Sequence, residues 1–478
     1  VQLMLALDHL VLAVGPAGLP AAQGKIEHFV VLLLENHAAD NFFGCMDLPG
    51  FDGIRNSHTV PVDPDDPGKG EVNITCGSAP YVCAQAPGYD TFAGKFPVDG
   101  SNPHTYPYSA QGDRFSGPRG ARRGSSAIQT FAPEQIPVKA ALAREFGVFN
   151  QLFTAVPAAS SPNHLFAQSA TSCGMTANVL YDDCGGTAVT FPQRTIFDAL
   201  REASVPFGFF LNSTCGLDGQ PCHGEDTHDP DSASAISTPD VAMEGVGRYK
   251  ERFFSQELFY QHAAAGTLPK LSWLHPPLQA CDHPCHDVAK GERLLKDVYE
   301  AVRAGPGWAR TLLFVAYDDA GGYYDHVVPP SEGVPADGAP CHRPGPHPLC
   351  GPSFDFRRLG LRTSALLISP WVSKGSVFQR PSGPTPTSQF ELTSIPATVK
   401  HLFNLSSFLT RRDAWAGSFH ELLTESSPRT DAPMHLPDAP PPATPWEPPP
   451  PEPGSAVGKR AVRVGSTGDV AAAPRHCS

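Results

Sequence analysis

The sequence predicts an α/β fold built around a buried, parallel-type sheet, on three observations. Four runs of β type are apolar almost without interruption, as strands covered on both faces are. Segments with helical spacing of apolar residues lie between them, the alternation of an α/β sheet sandwich. Gly (44) and Pro (52) make up about a fifth of the 478 residues, against a background of roughly 12%. That excludes coiled coils and long bundles and predicts many turn-rich loops. No glycine recurs at every third position, which excludes collagen.

The four strand-like runs are 26–34 (IEHFVVLLL), 146–153 (FGVFNQLF), 311–316 (TLLFVA) and 365–369 (ALLIS). Helical spacing marks 194–203 (RTIFDALREA), 287–304 (DVAKGERLLKDVYEAVRA) and 394–404 (SIPATVKHLFN). In the last, Pro396 falls in the first turn, where proline is tolerated. Residues 55–125 are rich in Gly, Pro, Asp and Ser and read as a long excursion or cap. Residues 428–453 hold twelve prolines in 26 positions, which excludes helix and interior strand and predicts an extended, exposed tail. The expected organisation is a leader over 1–22, a folded domain over 23–425 and a Pro-rich, disordered tail over 426–478. The sequence shows no internal repeat.

A net charge of −13 argues against nucleic acid, whose phosphates need clustered Lys and Arg. A phosphate substrate stays open, because a bound metal can supply the positive charge. Twelve cysteines fall in part as five local pairs: Cys76/Cys83, Cys173/Cys184, Cys215/Cys222, Cys281/Cys285 and Cys341/Cys350. In such loop-like sequence they read as disulfides of an oxidising compartment. Zinc ligation is the rival, weakened by the absence of any CxxC pair. Residues 1–22 resemble a signal peptide ending in small residues near Ala21 and Ala22, although Asp8 and His9 interrupt the apolar run. Sequons at Asn73, Asn212 and Asn404 fit the same route. The expectation is the secretory pathway or the extracellular space.

Three strand-like runs are followed at once by chemically capable residues. Glu35 and Asn36 follow the first, with Asp40 beyond. Ser160, Asn163 and His164 follow the second. Asp318 and Asp319 follow the third, then Asp325 and His326. Ligands of open α/β sheets bind outside the carboxyl ends of the strands. Glu35, Asn36, Asp318 and Asp319 supply the oxygen donors that hold Mg²⁺, Ca²⁺ or Mn²⁺. Ser160 precedes a helix expected near Pro162, where free N–H groups suit a phosphate and a metal-activated hydroxyl can attack phosphorus. Each signal has a plain structural reading as well. Glu35-Asn36 can cap a loop, Asp318-Asp319 before Gly-Gly can be a turn, and Ser160 can be a helix N-cap. Among 19 histidines, His326 is the best placed, seven residues beyond the Asp pair. His104 (in NPHTYP), His283 and His286 (in CDHPCHD) are further candidates.

Several ordered blocks resemble the phosphoesterase family of bacterial and plant non-specific phospholipases C and acid phosphatases, most of all its plant-type members. These are IEHFVVLLLENHAADNFFG, AVPAASSPNHLFAQSATSCG with PQRTIFDAL, DHPCHDVAKGERLLKDVYEAVRAGPGW, LLFVAYDDAGGYYDHVVPP, RLGLRTSALLISPWVSKG and TSQFELTSIPATVKHLFNLSSFLTRRDAWAGSF. The resemblance spans about 25–425. It implies an alkaline-phosphatase-like fold, a mostly parallel sheet with helices on both faces. It places Glu35, Asn36, Asp318 and Asp319 as ligands of a divalent metal (Ca²⁺, Mg²⁺, Mn²⁺ or Zn²⁺) and Ser160 as nucleophile. His104, His283, His286 and His326 become candidates for contacting the phosphoryl or leaving group. Asn163 and His164 stand at a substrate-binding Asn-Arg pair.

The sequence departs from the family pattern elsewhere as well. His37-Ala38-Ala39 replaces Arg-Ser-Phe, Asp319 replaces Glu, and Ala320 replaces a histidine. Loss of a general acid there would cost about 10²–10⁴ in rate. The implied activity is a phospholipase C that cleaves glycerophospholipids such as phosphatidylcholine to diacylglycerol and phosphorylated headgroup, in peripheral contact with a membrane. The alternatives are a phosphomonoesterase on the same scaffold, or an inactive secreted protein that binds lipid or phosphate.

Overall fold

A computed structural model describes residues 24–54, 58–61, 67–84, 126–175, 191–211, 243–337 and 355–445. Its centre is an eight-stranded sheet. In chain order the strands are β1 (His28–Leu34), β2 (Gly147–Phe149), β3 (Phe207–Leu211), β4 (Phe253–Ser255), β5 (Leu271–His275), β6 (Thr311–Tyr317), β7 (Ala365–Ile368) and β8 (Ser376–Phe378). They lie side by side as β8-β2-β7-β6-β1-β5-β3-β4. All run parallel except β7, which is antiparallel to both β6 and β2. The chain leaves β6 at its carboxyl end and re-enters the sheet from that same end, which forces the reversal.

β1 sits between β5 and β6 and is buried along its whole length. Its alternate side chains feed two cores. Phe29, Val31 and Leu33 join one face with helices α3 (Ser160–Ser169), α4 (Ile196–Glu202) and α7 (Ser394–Leu402). Val30, Leu32 and Leu34 join the other with α1 (Ala39–Phe42), α2 (Pro137–Glu145), α5 (Gln256–Ala265) and α6 (Val288–Ala304). The helices therefore cover both faces, as expected. α4 begins in a Thr195/Asp198 capping box, and the Asp287 carboxylate caps α6. Of the sequence runs, 146–153 divides. After β2, Asn150 and Gln151 both donate their backbone N–H to Phe378 O, and Leu152–Phe153 pairs separately with Phe390–Glu391.

Two expectations give way. The stretch expected to be an exposed tail from 426 is held against α6 as far as residue 445. Lys290 donates to Pro445 O (2.7 Å), Lys296 to Leu436 O (2.6 Å) and Arg303 to Ala432 O (2.9 Å). Ala432 and Leu436 are buried. A proline-rich strand offers carbonyl acceptors and few donors, so the donors come from one face of the helix. Among the described residues the disulfides are long-range, which overturns the expected Cys76/Cys83 and Cys281/Cys285 pairs. Cys45 pairs with Cys76, and Cys83 with Cys285. Cys281 is buried in the core while its expected partner Cys285 is bonded to Cys83. The expected leader over 1–22, His104, Asn212, residues 446–478 and Cys184, Cys215, Cys222, Cys341 and Cys350 lie outside the described residues.

A buried arginine ties together the loops at the carboxyl edge. Arg362, just before β7, donates to Asp40 Oδ1 (2.9 Å), Asp325 Oδ1 (2.9 Å) and the Asn150 and Asp52 carbonyls (3.1 and 2.9 Å). His326 Nδ1 meets Asp40 Oδ2 at 2.7 Å. Replacing the arginine strands two buried carboxylates. We expect Arg362→Met to lose about 3–5 kcal/mol of stability in urea unfolding. Burial lowers the His326 pKa, but the hydrogen bond and charge of Asp40 outweigh it and push it up to about 9. A raised folded-state pKa stabilises fully below the unfolded value of about 6.5, and that contribution is lost as pH rises through about 9. The gap in Tm between wild type and His326→Gln should therefore be widest near pH 6 and close by about pH 10.

Candidate active site

Strand register builds the site. β1 and β6 pair from His28 with Thr311 to Leu34 with Tyr317. Glu35 and Asp318 therefore leave the sheet side by side. The Asp318 N–H donates to Leu34 O (3.0 Å), and the Asn36 N–H donates to Asp318 Oδ1 (2.9 Å). Asn36 is left-handed (φ 67°), a conformation asparagine tolerates. Gly321 is required on the facing turn, because a Cβ there would lie 2.0 Å from Asn36 O. Its N–H donates to Asp319 Oδ1 (2.6 Å). The turn reading of Asp319 is thus correct for one oxygen, while the other faces Ser160.

Ser160 opens α3, but the N-cap position belongs to Ala159. The serine hydroxyl is turned into the carboxylate cluster instead. Its Oγ lies 3.1 Å from Asn36 Oδ1, 3.1 Å from Asp319 Oδ2 and 3.3 Å from Glu35 Oε2. One helical turn on, His164 Nε2 lies 3.4 Å from both Glu35 Oε1 and Asp318 Oδ2. Asn163, expected to bind substrate, is committed to backbone. Its Oδ1 accepts from Val156 N, and its Nδ2 donates to the carbonyls of Val156, Ala158 and Ala159. It shapes the loop that delivers Ser160.

Burial and the charge of Asp318 push the Glu35 carboxyl up, and the same causes push Asp319 well up. For Asp318, burial is outweighed by His164, whose Nε2 stands 3.4 Å away, and by the hydrogen bond from the Asn36 N–H, which hold it below the usual carboxylate range. The Asn36 amide bears on what balances these charges. In one orientation the Asn36 amide nitrogen donates to Asp318 Oδ1 (2.9 Å) and Glu35 Oε2 (3.0 Å) and its oxygen accepts from His283 Nε2 (3.2 Å); in the other its oxygen faces the cluster and would meet a cation. Oxygens converging in this way fit a divalent cation, with Glu35, Asn36, Asp318 and Asp319 as donors.

His283 and His286 are carried on the 281–287 loop, with ring centres 5.9 Å apart. The loop is anchored by a buried group that sequence reasoning did not single out. Lys139 Nζ lies 3.1 Å from Asp282 Oδ2 and 3.2 Å from Glu292 Oε1. Tyr317 donates to Asp282 Oδ2 (2.6 Å). A Cβ on Gly291 would lie 1.8 Å from Asp282 Oδ1, so glycine is needed there. The one signal for this group was a lysine inside the apolar stretch 136–143.

His326 is not in the cluster. Its ring contacts run to Asp40, to Asp52 (3.2 Å) and to His58, so its role is in the Arg362 network rather than at Ser160. His37 stands where the family pattern has arginine and carries no compensating charge. Burial pushes its pKa down to about 4, and its ring stacks between Phe42 and Tyr323. Ala320 packs with Ala38, Tyr323 and Leu361, so two of the family departures meet in one apolar patch.

The phosphoesterase family model matches residues 26–406. Non-specific phospholipase C1 of Arabidopsis thaliana is 36% identical over 446 residues, covering 89% of this chain and 76% of that protein. Non-hemolytic phospholipase C of Burkholderia pseudomallei is 24% identical over 408 residues, covering 76% and 54%. A crystal structure of an alkaline phosphatase superfamily protein from Vibrio parahaemolyticus aligns with a TM-score of 0.32 and 12% identity, over 59% of this chain and 64% of that one. Sheet, strand-end cluster and sequence blocks agree: this chain belongs to the phosphoesterase family and is a hydrolase of phosphoric ester bonds.

Proposed function

We propose that the protein is a phospholipase C that cleaves the glycerol-side phosphodiester bond of glycerophospholipids, with Ser160 as nucleophile. The observation that carries this is the placement of Ser160. A hydroxyl at the start of a ten-residue helix is directed at an amide and two carboxylates, within 3.1–3.3 Å, in a chain similar over most of its length to plant phospholipases C. Glu35, Asn36, Asp318 and Asp319 would hold a divalent cation, whose chemistry is to neutralise phosphate oxygens and favour the ionised hydroxyl.

The chain's own residues do the rest. The N-terminus of α3 favours the phosphate oxygens. Ser160 Oγ forms a bond to phosphorus, and its proton passes to Asp319 Oδ2, 3.1 Å away. The bond from phosphorus to the glycerol oxygen breaks, its electron pair stays with that oxygen, and His283 or His286 supplies the proton that completes diacylglycerol. Water then attacks the phosphoserine and gives a proton to that histidine, the Ser160 Oγ–phosphorus bond breaks, and the phosphorylated headgroup leaves as Ser160 regains its proton from Asp319. The substrate is met at a lipid surface, peripherally. No described helix is long and apolar enough to cross a membrane. Two disulfides support residence in an oxidising compartment.

The test uses purified protein, phosphatidylcholine vesicles and a panel of divalent ions, with phosphocholine, diacylglycerol and free phosphate measured separately. Phosphocholine and diacylglycerol should appear in equal amounts, and Ser160→Ala should lose about 10³-fold or more of the rate. Turnover of p-nitrophenyl phosphate with intact lipid would move the protein to the phosphomonoesterases. Binding without turnover under every ion would make it an inactive lipid or phosphate binder. In the same assay, EDTA should abolish phosphocholine release, and added divalent ion should restore it.

A further inference from the structure

We propose that His164 is a nitrogen ligand of the cation in this cluster, and that it turns the site toward borderline ions, Zn²⁺ first, and away from Ca²⁺ and Mg²⁺. The proposal rests on the reading that the cluster binds a divalent ion, and it removes His164 from the substrate-binding role that the sequence suggested.

His164 and Ser160 are four residues apart on α3, so they share a helix face one turn apart. The imidazole is buried (4% exposed). Its Nε2 is equidistant, at 3.4 Å, from Glu35 Oε1 and Asp318 Oδ2. A direct N–H···O bond is shorter, about 2.7–3.2 Å, and would favour one oxygen over the other. Two atoms bound to one ion at about 2.1 Å stand about 3.0–3.4 Å apart at octahedral to tetrahedral angles. The donor atoms of Glu35, His164 and Asp318 all lie within 4.8 Å of one another.

A neutral imidazole offers a lone pair where a lysine or arginine would offer only donors. A set of oxygens alone suits Mg²⁺, Ca²⁺ or Mn²⁺, whereas an imidazole nitrogen suits Zn²⁺. The competing arrangement is an imidazolium paired with Glu35 and Asp318, which places no nitrogen on the ion.

The test loads the full chain with Mn²⁺ as a paramagnetic probe and records pulsed electron paramagnetic resonance on protein grown with ¹⁴N- or ¹⁵N-histidine. Nitrogen coupling that changes with the isotope is expected, lost in His164→Gln and kept in His283→Gln. In calorimetric titrations, His164→Gln should weaken Zn²⁺ binding by at least the about 10–100-fold that loss of an outer-shell partner costs, with Ca²⁺ binding changed far less. The wild-type spectrum alone decides if the variant fails to fold. Mn²⁺ bound without nitrogen coupling overturns the ligand and leaves the phospholipase reading standing. Coupling present in a chain that releases no phosphocholine upholds the ligand and overturns that reading. A chain that binds no divalent ion overturns the ligand.

Discussion

Three carboxylates that share one buried cluster are the constraint on which this structure turns. Glu35, Asp318 and Asp319 are brought together by the register of β1 against β6 and by the turns that follow each strand. Burial of like charges costs several kcal/mol per ion unless positive charge or hydrogen bonds offset it. The surrounding scaffold keeps them from moving apart. Arg362 clamps the loop after β1 to the loop after β6 through Asp40 and Asp325, and Asn163 fixes the loop that brings Ser160 in from a third strand. The site is a consequence of loops that are not free to relax.

Much of this was legible in the sequence, for a physical reason. Strands buried on both faces must be continuously apolar, so the runs that became β1, β6 and β7 announce themselves, and polar residues at their ends stand out. β3 and β5 were missed because a glycine or serine interrupts a five-residue strand (FGFFL, LSWLH). The direction of β7 was not in its composition either. It follows from where the chain re-enters the sheet. Local sequence also misled on cysteines. Proximity in sequence suggested Cys281 with Cys285, yet residue 281 lies in the core while 285 meets Cys83 across 202 residues.

The site residues divide along the same line. Glu35, Asn36, Asp318 and Asp319 follow strands directly, so strand register and the turns after each strand bring them together, while Ser160 arrives on the loop that Asn163 shapes. Asn163 and His326 looked equally chemical, but each is consumed by a partner that sequence distance hides: backbone carbonyls for Asn163, and Asp40 with Asp52 for His326. Lys139 and Arg362 were invisible because a lone basic residue in apolar sequence gives no hint of which acids it will meet. The family departures show the same dependence on tertiary context. Ala38 and Ala320 are far apart in the chain yet share one apolar patch with Tyr323, so the loss of a polar side chain at one position is matched by a loss at the other.

Charge balance separates the chemical cluster from the structural ones. Two other groups of buried acids lie nearby. Asp40 and Asp325 have Arg362 between them, and Asp282 and Glu292 have Lys139. Each carries a permanent cation in ion-pair contact, and each holds loops in place. Among the described residues, the Glu35–Asp318–Asp319 cluster has no lysine or arginine in ion-pair contact, and its basic neighbour is His164. A histidine can surrender its proton where lysine and arginine hold theirs. Lysine and arginine thus hold the two groups that fix loops, while the cluster facing Ser160 presents the donor set that the proposed cation would occupy.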